Sequence, residues 1–155
     1  MTKETVNLNM SLLAYATKIA EGRTTQKKNY KSSNPLSPNY ELVGVLGELV
    51  YSYTTNELMD GVLKVQGDDG FDFSKRVQVK SSEKYKAKHL IEYIDKNFTK
   101  FDYYVFVVID LFNLKGEIIG WISTQDFMAK AQIIDFGYGE RYAVLLSELN
   151  PWGPV

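Results

Sequence analysis

The sequence predicts a mixed α/β fold, an α+β arrangement in which helices pack on a mixed sheet. Three observations predict it. Tyr40 to about Asn56 carries Leu42, Val45, Leu46, Leu49, Val50 and Tyr53, apolar residues at the three- and four-residue recurrence of a helix face. Tyr103 to Ile109 (YYVFVVI) is a near-continuous apolar run, the pattern of a central strand covered on both faces. Val77 to Ser81 alternates, so Val77 and Val79 enter one layer while Gln78 and Lys80 share the opposite face.

The 155 residues suit a single domain with one substantial core. Within it we expect an N-terminal helix and basic loop over residues 1–39, a central core over 40–127 and a C-terminal extension over 128–155. Leu12, Leu13, Ala16, Ile19 and Ala20 form a helical stripe within Leu8 to Glu21, with Gly22 as the expected stop. Arg23 to Asn39 is polar and turn-rich and reads as an exposed loop. It sets Tyr30 among Arg23, Lys27, Lys28 and Lys31, a mixture suited to phosphates and to base stacking, though a plain surface loop has the same composition.

Ser37-Pro38 predicts an N-cap and first turn for the helix that follows. Gly44 and Gly47 weaken that helix by about 1 kcal/mol each relative to alanine, which makes sense where its backbone packs closely on a sheet edge. Glu48 sits beside them. Gly61 to Gln66 begins the sheet, a GDDG turn containing Asp69 follows, and Phe71-Asp72-Phe73 continues it. A three-residue loop at Ser74-Lys75-Arg76, or a bulge with the same effect, would set Asp72 opposite Gln78 and on its face.

Glu83 to Asn97 reads as loop then helix, with Leu90, Ile91 and Ile94 inward and Lys84, Lys86 and Lys88 outward. His89 is expected as a helix-surface or packing residue and not as a catalyst. Asn113-Leu114-Lys115-Gly116 predicts a turn into a partner strand over Glu117 to Ser123. Thr124 to Lys130 predicts a short helix, capped by Ser123 or Thr124, with Asp126 in its first turn. Tyr142 to Leu146 has the character of a strand, and regular structure is expected to end at Asn150-Pro151-Trp152-Gly153-Pro154.

Composition narrows the chemistry. There is no cysteine and one histidine, which removes thiol nucleophiles, cysteine zinc sites, disulfides and two-histidine metal motifs. Carboxylate-held Mg²⁺ or Mn²⁺ is the hydrolytic metal chemistry that remains. The N-terminus lacks a signal-peptide layout and no apolar run reaches a membrane span, so a cytoplasmic location away from membranes is expected. The net charge of −1 is unevenly spread. Residues 74–100 carry eight Lys/Arg against three Asp/Glu, whereas 41–73 carry one against seven. Basic segments beside an acidic one suit a metal-binding carboxylate site whose neighbours hold a polyanion.

The phrase GDDGFDF…VQVKSS, preceded by GVLGE and followed by YYVFVVI, resembles the PD-(D/E)XK nuclease superfamily, the restriction-endonuclease-like fold of Holliday-junction resolvases and Mrr-type enzymes. The resemblance spans roughly Tyr40 to Phe127 and implies an αβββαβ core. It implies that Asp72 is the central metal-bridging aspartate, with Asp69 as its substitute or helper, and that Glu48 and Gln78 are further metal ligands. Lys80 would orient and polarise the attacking water. Gln78 stands where the family usually has a carboxylate, and Phe71 stands where the nominal motif has proline.

The function so implied is a Mg²⁺- or Mn²⁺-dependent endonuclease acting on DNA, with RNA left open and a homodimer suited to cutting two strands. Lys27, Lys28, Tyr30, Lys31, Lys84 and Lys86 are the candidate nucleic-acid contacts. The alternative is a catalytically inactive nuclease-fold domain that binds nucleic acid or a protein partner, and a third reading is an unrelated α+β interaction domain.

Overall fold

The computed structural model describes residues 5–28, 40–55 and 76–153, apart from the side chains of 23–28 and 40. Its centre is a mixed sheet of β1 (Thr5–Asn7), β2 (Val77–Glu83), β4 (Tyr103–Asp110), β5 (Lys115–Ser123) and β8 (Asn150–Pro151). The order is β1-β5-β4-β2, with β8 also on β5. β2 runs parallel to β4, and the pairings of β5 with β1, β4 and β8 are antiparallel. A second, antiparallel sheet orders β3 (His89–Tyr93), β7 (Glu140–Leu145) and β6 (Gln132–Asp135). The helices are α1 (Met10–Lys28), α2 (Tyr40–Thr55) and α3 (Thr124–Lys130).

β4 explains the layering. Val105, Val107 and Ile109 join Val43, Leu46 and Val50 of α2 in one core, with Val77 and Val79 of β2 and Ala16 and Ala20 of α1. Tyr104, Phe106 and Val108 point the other way, into a second core with Leu90 of β3, Val144 of β7 and Phe127 of α3. Apolar residues at successive positions are what a strand buried on both faces requires, and from Tyr104 to Asp110 every residue is buried. In β5 the register shifts opposite Phe106 and Val107, leaving Ile119 unpaired. This bulge lets Ile118 and Trp121 serve the helix-side core while Ile119 and Ile122 serve the other.

Several expectations hold. α2 begins at Tyr40, β2 at Val77 and α3 spans Thr124–Lys130 with the Ser123 hydroxyl accepting from the Asp126 amide at 3.0 Å. Others are corrected. Gly22 does not end α1, which continues to Lys28, so Arg23 to Lys28 is helix and not loop. Glu83 to Asn97 holds no helix: its centre is β3, in which Leu90 and Glu92 are both buried, two residues apart. The connection from β2 to parallel β4 therefore passes through a strand of the second sheet, and the helical crossover of the implied αβββαβ core is not there. Asn150-Pro151, expected to end regular structure, adds a short strand to β5. β1 and β6 were not anticipated. The Ser37-Pro38 cap, the 61–66 strand, the GDDG turn and the loop before Arg76 lie outside the described residues.

Candidate nucleic-acid interface beside Lys80

β2 is set against α2 by Gly47. A Cβ built there would stand 2.6 Å from both Cβ and Oγ of Ser81, so only glycine permits the approach. The Ser81 hydroxyl donates to the Val43 carbonyl at 2.9 Å and ties the pair together. Gly44, by contrast, has open space around it, so close packing explains one glycine and not the other.

Val77, Val79 and Ser81 thus face the helix, and Gln78 and Lys80 leave the opposite face, as their spacing predicts. In the parallel register Gln78 lies beside Tyr104 and Lys80 beside Phe106. Gln78 is buried, 3% exposed. Lys80 reaches Glu92 of β3, with Nζ 3.2 Å from Oε1. The Glu92 side chain is fully buried and well supplied with donors. Its own strand contributes the Tyr93 amide to Oε1 at 2.9 Å, and the Tyr104 hydroxyl donates to Oε2 at 2.9 Å. Lys96 brings a second ammonium to 4.0 Å of Oε2. Such partners offset the cost of taking a carboxylate out of water. Sequence reasoning missed Glu92 because a helix would have turned it outward; the alternation of Leu90 with Glu92 was the available signal.

Glu48 belongs to α2. Val50 lies against Gly116 of β5, and a helical step of about 100° per residue sets Glu48 on a different face of α2 from Leu46 and Val50. α2 itself packs on the Val79 and Ser81 face of β2, the face opposite to Lys80. Asp72, Asp69, Tyr30 and Lys31 lie outside the described residues, and Lys27 and Lys28 end α1. Among the described residues no three His, Asp or Glu side chains come together as a metal site, so by themselves they do not form a cation cage.

They do form a groove. A cavity of about 590 Å³ runs along β2 and β3 to the hairpin between β6 and β7. Lys80, Lys86, Lys88 and Arg141 line it against Glu83 and Glu92, leaving an excess of positive charge. Lys86 pairs with Glu83 at 3.2 Å and is largely exposed; Lys84, also exposed, donates its amide to the Ile109 carbonyl at 2.9 Å. Four aromatic rings, Tyr93, Phe106, Phe136 and Tyr138, also line it beside Val43, Ile91, Ser81 and Ser82, with His89 against Phe136 at 5.6 Å between ring centroids. Burial, aided by the Lys88 charge, holds the His89 imidazole below its usual 6.5. Burial likewise pushes the Tyr138 phenol up, opposed by Arg141.

No protein-family model matches this chain, and no curated protein matches it. No described helix is long and apolar enough to cross a membrane.

Proposed function

We propose that this chain is a divalent-cation-dependent endonuclease that binds DNA along the groove beside Lys80. The observation that carries the reading is the common face of Gln78 and Lys80, with the Lys80 ammonium in a groove of net positive charge. Backbone phosphates are held by such charge, and a lysine there can stabilise the charge that develops on a phosphoryl group during attack by water. Mg²⁺ or Mn²⁺ would supply Lewis-acid stabilisation of the same charge. Glu48, Asp72 and Gln78 are the ligands that the resemblance implies, and Asp72 is the one on which the reading depends most.

The test is cleavage of linear, supercoiled and branched DNA with Mg²⁺ or Mn²⁺, comparing wild type with Asp72→Ala and Lys80→Ala. Cleavage should be lost in both. Activity that persists in the Asp72 variant overturns the reading; the Lys80 variant is interpreted beside its melting curve, since Lys80 also neutralises Glu92.

A second reading is favoured by a specific observation. Gln78 is a buried neutral amide and Lys80 is already bound to Glu92. Both features suit a nuclease-fold domain that binds nucleic acid, or a protein partner, without cutting. Tight DNA binding with no metal-dependent cleavage by wild type would decide for it.

A further inference from the structure

The hairpin between β6 and β7 reads Phe136-Gly137-Tyr138-Gly139 and closes one end of the groove. Gly137 and Gly139 have φ of 96° and 113°, a left-handed region that side chains disfavour. The turn they make leaves the Phe136 and Tyr138 rings nearly parallel, 16° apart in plane and 6.0 Å between centroids. Arg141 lies over the Tyr138 and Tyr93 rings, its guanidinium carbon 5.2 Å from the centre of the first and 4.7 Å from that of the second. A Cβ on Gly139 would stand 3.0 Å from Arg141 Nη1, so the glycine also makes room for that cation. The Phe136 and Tyr138 rings are half-buried and line the cavity that Lys80 and Lys88 line.

We propose that this hairpin is a stacking platform for unpaired bases, so that the groove takes a single-stranded nucleic-acid segment in preference to a duplex. The proposal rests on the nucleic-acid reading above and names its substrate class. Aromatic faces beside a cation bind any base through its π face, which a duplex keeps inside its own stack. A duplex can use only the lysines, through its phosphates. The lysines at the rim and the rings at the hairpin therefore make separable contributions.

The test is binding of the full chain, with a chelator present to prevent cleavage, to an oligothymidylate, to a duplex of equal length and to heparin. Wild type should prefer the oligothymidylate over the duplex by about tenfold, the scale of stacking on one or two rings. The double variant Phe136→Leu with Tyr138→Leu keeps apolar volume but removes both π faces. It should lose that preference while its affinity for duplex and heparin is unchanged. Lys86→Ala with Lys88→Ala should weaken all three. Equal binding of oligothymidylate and duplex by wild type overturns the proposal, as does a leucine double variant that keeps the preference. If only this inference fails, duplex is still bound and cut; if no nucleic acid is bound, the reading beneath it fails as well.

Discussion

Lys80 Nζ lies 3.2 Å from Glu92 Oε1. The contact joins the central sheet to the second one, because Lys80 leaves β2 and Glu92 leaves β3. Removing the lysine leaves a buried carboxylate with one less cation, a change that costs about 3–5 kcal/mol in buried pairs. Lys96, 4.0 Å from Oε2, keeps part of the compensation. Lys80→Ala should therefore destabilise by about 3 kcal/mol, the low end of that range, in urea unfolding. Adding Glu92→Gln should recover part of the loss. A double variant less stable than Lys80→Ala would show that the pair is not the unit of stabilisation.

Gly47→Ala and Gly44→Ala should have opposite signs. The first drives a methyl group into Ser81, on the way to a sheet that cannot retreat, and overpacking of this kind costs about 1–3 kcal/mol. The second meets nothing within 4 Å and gains helix propensity, up to about 1 kcal/mol. Thermal melting of the two variants checks both signs.

Asp110 organises the turn between β4 and β5. Its Oδ1 accepts from the amides of Phe112 and Asn113 at 3.0 and 2.9 Å, and its Oδ2 from the Asn113 side chain at 2.9 Å. These bonds, the Asn113 side chain foremost, hold its carboxyl below the usual 3.8. The carboxylate is thus favoured in the folded chain, and the stability it adds is present above pH 3.8 and lost as pH falls through the lowered value. Asp110→Asn should flatten the acid limb of the stability profile, measured by denaturation at a series of pH values.

The single histidine offers a clean titration. Burial first, and the Lys88 charge second, lower its pKa below 6.5. The folded chain then favours neutral imidazole, so His89 contributes stability above pH 6.5 that declines as pH falls below it. Proton NMR should place the imidazole midpoint below 6.5 in the folded chain and move it upward in Lys88→Ala.

The elements that sequence determined are those whose signal is local. YYVFVVI has to be a strand buried on both sides, because no amphipathic helix is apolar at seven consecutive positions. Ser123 and Asp126 write the start of α3, since a cap acts within one turn. The common face of Gln78 and Lys80 follows from strand periodicity alone. Tertiary structure decided the segment from Glu83 to Asn97. HLIEY sets a glutamate among Leu90, Ile91 and Tyr93, and its pattern suits a helix if Glu92 faces water. It becomes β3 because Lys80, twelve residues earlier, makes burial of Glu92 tolerable and β7 supplies a partner strand. The basic and aromatic groove was equally illegible. Its cations come from β2, the residues just after it and β7, and its rings from β3, β4 and the hairpin between β6 and β7. Sequence records each of these separately, and only folding brings the cations and the rings to the same wall.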